Sequence, residues 1–139
     1  MKITDYISRL REECPTLQNR VYGSIELADT MPTSMRPPCA FIIGMAEKAN
    51  PNKLIGGYSQ LITAQIGVVI CVKNYRDERG DIDQSLLEDV RREIRLALCN
   101  WQAPDTEIPT EFYQGQLAAY DNSLIRWNDV FTTQFFYRK

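Results

Sequence analysis

The chain has no histidine. That removes the commonest general base, the usual metal ligand and every Ser-His or Cys-His nucleophile pair. It also lacks the phosphate-cradling pattern G-x-x-x-x-G-K-S/T, the dinucleotide pattern G-x-G-x-x-G and the nucleophile elbow G-x-S-x-G. No apolar run approaches the roughly 20 residues of a membrane span. There is no basic excess either, since the net charge is -2, and this argues against general affinity for nucleic acid. The start, Met1-Lys2-Ile3-Thr4-Asp5, carries an acid and no h-region. It is read as no signal peptide, and the expectation is a protein that stays where it is translated.

Four cysteines are present, Cys14, Cys39, Cys71 and Cys99, and no two form C-x-x-C. Each sits in or beside an apolar segment. They are read as small buried thiols in a reducing compartment rather than as a metal or redox site. What remains is ordinary globular material: 139 residues, 44% hydrophobic and 24% charged. That length predicts one domain, 1–139.

Ile3, Tyr6, Ile7, Leu10 and Cys14 recur at helical spacing, with Thr4 or Asp5 as the expected cap and Pro15 as the stop. Val21 to Ala28 is ambiguous between a strand and a helical turn. Met31 to Pro38 holds three prolines and reads as extended connector. Cys39 to Ala46 is apolar on both faces, as in a central strand. A second strand spans about Tyr58 to Val72, with Ile62, Ala64, Ile66, Val68, Ile70 and Val72 on one face. Between the two, Glu47 to Gly57 is polar, then glycine-rich, and carries Leu54 and Ile55. It reads as the loop of a long projecting hairpin.

Lys73 to Gly80 reads as a charged loop. Asp81 or Asp83 is the expected cap of a strong second helix. Ile82, Leu86, Leu87, Val90, Ile94, Ala97 and Leu98 form its predicted apolar stripe. Its predicted wet face runs through Arg91 and Arg92, with Glu88 and Arg92 paired at i,i+4. Glu111 to Tyr120 reads as a strand, Asp121-Asn122 as a turn, and Ser123 to Tyr137 as a long returning strand. Trp127, Phe131, Phe135 and Tyr137 share one face of it, with Thr133 among them, and Phe136 faces the other way. Aromatics on both faces point to burial by another subunit or by helices on both sides. The predicted class is α+β: an antiparallel or mixed sheet with that long hairpin and two helices packed on one face.

Three clusters invite function. The acids Asp77, Glu78, Asp81, Asp83 and Glu88 fail the calcium-loop pattern and are read as caps and solvated charge. The cations Lys48, Lys53, Arg76 and Arg79 are interleaved with acids and read as solvated loops. The aromatics Tyr113, Tyr120, Trp127, Phe131, Phe135, Phe136 and Tyr137 read as core plus interface rather than as a ligand platform. No catalytic, cofactor or metal residue is assigned, and the expectation is a protein that is not an enzyme.

The order and spacing of these segments resemble those of the tail terminator (tail completion) proteins of tailed phages, in particular the family of contractile-tail phages. The resemblance spans most of the chain. It rests on the first helix with Ile7 and Leu10, Val21-Tyr22-Gly23, Ile25-Glu26-Leu27-Ala28 and Pro38-Cys39-Ala40-Phe41-Ile42. It continues through Gly67-Val68-Val69-Ile70, Ala97-Leu98-Cys99-Asn100-Trp101 and Trp127-Asn128-Asp129-Val130-Phe131-Thr132-Thr133. The resemblance implies a structural role without cofactors. Such a protein forms a homo-oligomeric ring, typically a hexamer, on the last ring of the tail tube. It ends polymerisation, faces the head connector protein and can touch the sheath protein. DNA passes its lumen without specific binding, and no membrane is involved. It is a virion protein assembled in the host cytoplasm. Candidate interface residues are Lys53, Leu54 and Ile55 in the loop, with Phe135, Phe136 and Tyr137 in the last strand. The alternatives are another head–tail joining protein, a subunit of a contractile injection system, or, in a different class, a small carboxylate-using enzyme.

Overall fold

The computed structural model describes residues 1–23, 36–76, 82–83, 85–120 and 123–139. Helix α1 is Ile3–Glu13. A 3-10 turn, Pro15–Leu17, follows and leads into strand β1, Val21–Gly23. Then come β2 (Cys39–Ala49), β3 (Ser59–Lys73), the short pair β4 (Tyr75–Arg76) and β5 (Ile82–Asp83), helix α2 (Ser85–Leu98), β6 (Glu111–Tyr120) and β7 (Leu124–Arg138).

Five strands form one mixed sheet in the order β1-β2-β3-β7-β6. Only β1 on β2 is parallel; the other pairs are antiparallel. The central place belongs to β3 and not to β2. The reason is visible in the side chains: two-sided apolar character stops at Ile42 in β2 but continues from Ile66 to Val72 in β3. β3 and β7 pair without interruption from Ser59↔Arg138 to Lys73↔Leu124. With two helices beside this sheet among the described residues, the molecule is α+β.

One sheet face meets both helices. Tyr6 and Leu10 of α1 and Leu87, Val90, Ile94 and Leu98 of α2 pack on Ala40, Ile42, Ile66, Val68, Ile70 and Phe131. The period-two and helical stripes in the sequence meet here because each is apolar on one side only. On the opposite face Cys39, Phe41, Val69 and Cys71 cluster with Tyr22 and Ile43. The Arg11 guanidinium donates twice to the Val21 carbonyl, at 3.1 and 2.7 Å, and so ties the first strand to the first helix.

Several local expectations are corrected. Thr4 and Asp5 lie inside the first turn of α1, whose cap position is Lys2; there the Asp5 carboxylate still faces the positive end of the helix dipole. Ile82 and Asp83 pair with Arg76 and Tyr75 in the small β4–β5 ribbon, so neither belongs to α2. Arg92 pairs with Asp89 at 3.4 Å rather than with Glu88. Glu47, Lys48 and Ala49 continue β2 opposite Ala64, Thr63 and Ile62, so the loop is shorter than expected and spans 50–58. A register shift between Gly44 and Ala46 lets the strand run on. The readings of Ser24 to Ala28, of 31–35, of 77–81 (Asp77, Glu78, Arg79 and the Asp81 cap) and of Asp121-Asn122 lie outside the described residues.

Candidate assembly surface

Burial falls away toward one end of the sheet. From Gly44 to Ala49 β2 is exposed, Ser59 to Thr63 are half-buried, and Phe136 to Arg138 are exposed. The loop 50–58 caps this end, and its conformation follows from a few side chains. The Asn50 N–H donates to the Leu61 carbonyl at 2.9 Å, and Gln60 Nε2 returns a bond to the Asn50 carbonyl at 3.1 Å. Asn52 Oδ1 accepts from the Leu54 and Ser59 N–H groups, while its Nδ2 donates to the Gly57 carbonyl at 3.1 Å. Gly56 adopts φ 75°, a left-handed turn that suits glycine. Beyond it, the Lys139 N–H donates to the Tyr58 carbonyl at 3.2 Å and carries the β3–β7 ladder to the chain end.

This arrangement brings some of the expected interface residues together and separates others. Lys53, Leu54 and Phe136 line one shallow cavity of about 240 Å³ with Asn50, Pro51, Ser59 and Leu61. Phe136 stands there because it is opposite Leu61 in the ladder. Ile55 lies at the loop summit, fully exposed at 103%. Phe135, opposite Ile62, is half-buried on the other face. Tyr137 shares that face, exposed, and meets Tyr58 edge-on at 6.1 Å. The cations Lys48, Lys53, Arg138 and Lys139 are exposed around the same end. Arg138 lies 4.2 Å over the Phe136 ring and Lys139 5.2 Å over Tyr58.

A second exposed surface was not anticipated. All ten residues of β6 are exposed, although β6 is paired to β7 along one side. Phe112, Tyr113, Leu117 and Tyr120 are large apolar groups on this strand. Of the aromatic set read as core plus interface, Phe131 is wholly buried in the core, while Tyr113 and Tyr120 are exposed. The hint in the sequence was the irregular spacing of apolar residues in Glu111 to Tyr120, which suits an edge strand with bulges better than a half-buried one. Register shifts indeed occur between Phe112 and Gln114 and between Leu117 and Ala119.

Sequence reasoning also missed a buried polar cluster behind β6. Asp129 is completely buried in β7. Arg91, placed by periodicity on the wet face of α2, reaches it with both ends of its guanidinium, each at 3.0 Å. Trp127 Nε1 donates to the same carboxylate at 2.8 Å, and the guanidinium stacks 4.4 Å over the Trp127 ring. Gly115 of β6 leaves the space: a Cβ there would sit 2.4 Å from Asp129 Oδ1 and 2.9 Å from Arg91 Nη2. The cluster is a fully paired buried charge, which fixes register and helix position rather than doing chemistry.

None of the four thiols is joined in a disulfide, and Cys14, Cys39 and Cys71 are buried. Burial pushes the Cys14 thiol up to about 12. Cys39 and Cys71 face each other across β2 and β3. The hydrogen bond between them raises Cys39 and lowers Cys71. Among the described residues no group of three or more Cys, Asp or Glu side chains could hold a metal ion, and no helix is long and apolar enough to cross a membrane.

Comparison with known proteins agrees with an assembly role. The family described as phage tail terminator protein matches residues 1–139. No curated protein matches the chain. Among solved structures, a chain of the virion of a native gene transfer agent (GTA) particle has a similar fold. It aligns with TM-score 0.59 at 10% identity over 94% of this chain and 91% of that one.

Proposed function

This chain belongs to the phage tail terminator family, and on that premise we propose that it closes into a homo-oligomeric ring, six copies around, on the last ring of the tail tube. Membership makes it a structural protein of the phage tail and virion, not an enzyme, and one that contacts other virion proteins. The ring stops tube polymerisation and offers its free side to the head connector protein, with the tail sheath protein as a further neighbour in a contractile tail. Assembly takes place in the host cytoplasm, with all of 1–139 acting as one domain. The net charge of -2 suits a lumen that DNA passes without being gripped.

The observation that carries the ring is the loop end of the sheet. A free surface loop has no use for Leu54 and for an Ile55 as exposed as a side chain can be. Lys53, Leu54 and Phe136 around one cavity, with Ile55 above it and with Phe135 and Tyr137 on the other face of the same sheet end, make a surface that a neighbouring subunit or the tube rim would cover.

Leu54→Asp with Ile55→Asp tests this. Both residues are exposed, so the monomer should keep its circular dichroism and change stability by no more than about 0.5 kcal/mol. Sedimentation and electron microscopy with purified tail tubes should show rings and capped tubes for the wild type and neither for the variant. A variant that assembles and caps like wild type, or a wild type that remains monomeric at every concentration and with tubes, would refute the proposal.

A further inference from the structure

A closed ring of identical copies needs two different patches on each subunit, one meeting the other across every interface. Resting on the ring reading, we infer that the loop end of one copy docks on the β6 edge of the next. The occupant of the β6 edge is therefore a second copy of this chain.

Charge supports the pairing first. Around the loop end, residues 47–58 and 136–139 carry Lys48, Lys53, Arg138 and Lys139 against the single acid Glu47. Residues 101–120 carry Asp105, Glu107 and Glu111 and no lysine or arginine at all. All three of these acids are exposed. Arg95, 5.8 Å over the Phe112 ring, and Arg126, opposite Ala119, border this strand but are half-buried, so the exposed charges here are the acids. Opposite fields on two surfaces of one molecule attract copies head to tail and repel loop end from loop end.

Shape and polarity support it second. Each surface combines its charge with large exposed apolar groups: Leu54, Ile55 and Phe136 on one, Tyr113, Leu117 and Tyr120 on the other. The two patches are separate, because β6 runs from Glu111 opposite Thr132 to Tyr120 opposite Ile125, away from the β3–β7 end at Ser59↔Arg138. β6 is the last strand of the sheet, so its outer side has no strand neighbour among the described residues. Its two register shifts interrupt the regular outer ladder. An interrupted edge is poorly suited to adding another strand and well suited to side-chain contact.

The test uses two blocked forms of the full chain. The loop-blocked form carries Leu54→Asp and Ile55→Asp; the edge-blocked form carries Tyr113→Asp and Tyr120→Asp. Circular dichroism checks the fold of each, and Ile55→Asp alone replaces the first pair if Leu54→Asp disturbs the loop. Each form alone should sediment as a monomer. Mixed, they should give a one-to-one dimer and nothing larger, because one good loop end meets one good edge and the remaining patches are dead. Wild-type association should weaken about tenfold or more as salt rises through the range where the screening length falls below ~8 Å. An edge-blocked form that dimerises by itself, either form assembling like wild type, a mixture that stays monomeric, or association indifferent to salt would each overturn the inference while wild-type rings still stand. A wild type that never forms rings, with or without tubes, would remove the ring reading and this inference together.

Discussion

Replacing Arg91 by methionine should be among the most destabilising single changes in the molecule. Methionine preserves most of the apolar stem and removes the fork that holds Asp129. The carboxylate is completely buried, and the arginine side chain is itself only 18% exposed. Among the described residues only the Trp127 N–H would then remain on Asp129. Stranding one partner of a buried pair costs about 3–5 kcal/mol, and the lost stacking on Trp127 adds roughly 0.5–1 kcal/mol. The residual indole bond places the expected total near the low end, about 3–4 kcal/mol. For a chain of this size that corresponds to a fall in melting temperature on the order of 10 °C. Urea unfolding of dilute protein, followed by tryptophan fluorescence, measures it directly. Arg91→Lys should fall between, since an ammonium cannot serve two carboxylate oxygens in one plane. Arg91→Met with Asp129→Leu should recover much of the loss, because an apolar pair strands no charge. If Arg91→Met costs less than about 1 kcal/mol, the pair behaves like a solvent-screened surface bridge, and the account of a buried, position-fixing cluster is wrong.

Four other outcomes are expected. Gly115→Ala places a Cβ within 2.4 Å of Asp129 Oδ1, so it should destabilise by about 1–3 kcal/mol, read from the same urea curves; a neutral result would mean that β6 simply moves aside. Ile94 is wholly buried on the inner face of α2, and Ile94→Ala should cost about 2–5 kcal/mol, with an unchanged melting temperature ruling out the helix face described. Of the four cysteines only the half-buried Cys99 should react promptly with a thiol reagent in the native state, counted by absorbance against the denatured protein. Cys14, raised to about 12, keeps its proton in the fold but loses it near pH ~8.5 when unfolded. Its contribution to stability is therefore complete below that pH and lost as pH rises from there toward 12, so unfolding curves at pH 7 and 10 should differ in that direction.

The sequence was most legible where one physical pattern acted alone. The stripe Leu87, Val90, Ile94, Leu98 is periodic over about three turns, and it packs as periodicity demands. Glu111 to Tyr120 is a strand over the span expected, and the aromatic face of the last strand does bury Phe131. Errors came where two patterns competed. Asp83 looked like a cap because acids commonly are, yet a two-residue ribbon with Tyr75 claimed it first. Lys48 looked like loop because it is charged, but a bulge at Gly44–Ala46 lets a solvated strand continue past the core. Arg91 and Asp129 lie 38 residues apart. Each taken alone resembles surface, and only the register of β7 beneath α2 brings them together. The candidate surfaces were half legible. Leu54 and Ile55 stand out as apolar residues in a polar stretch, while for β6 the irregular apolar spacing is the one sign in the sequence that its whole length is left uncovered.

The hydrogen bonds of Asn52 have a consequence for binding strength. Contact with a partner ordinarily carries the entropic cost of freezing whatever segment makes it, about 1–2 kcal/mol for each backbone residue immobilised. Here that ordering is already done within the free subunit. One amide side chain holds Leu54, Gly57 and Ser59, and the strand ends beside it hold Asn50 and Tyr58. Leu54 and Ile55 therefore arrive in their final shape. Little of the free energy released when they leave water is spent on organising the loop, and a small patch can act with the affinity of a larger, floppier one.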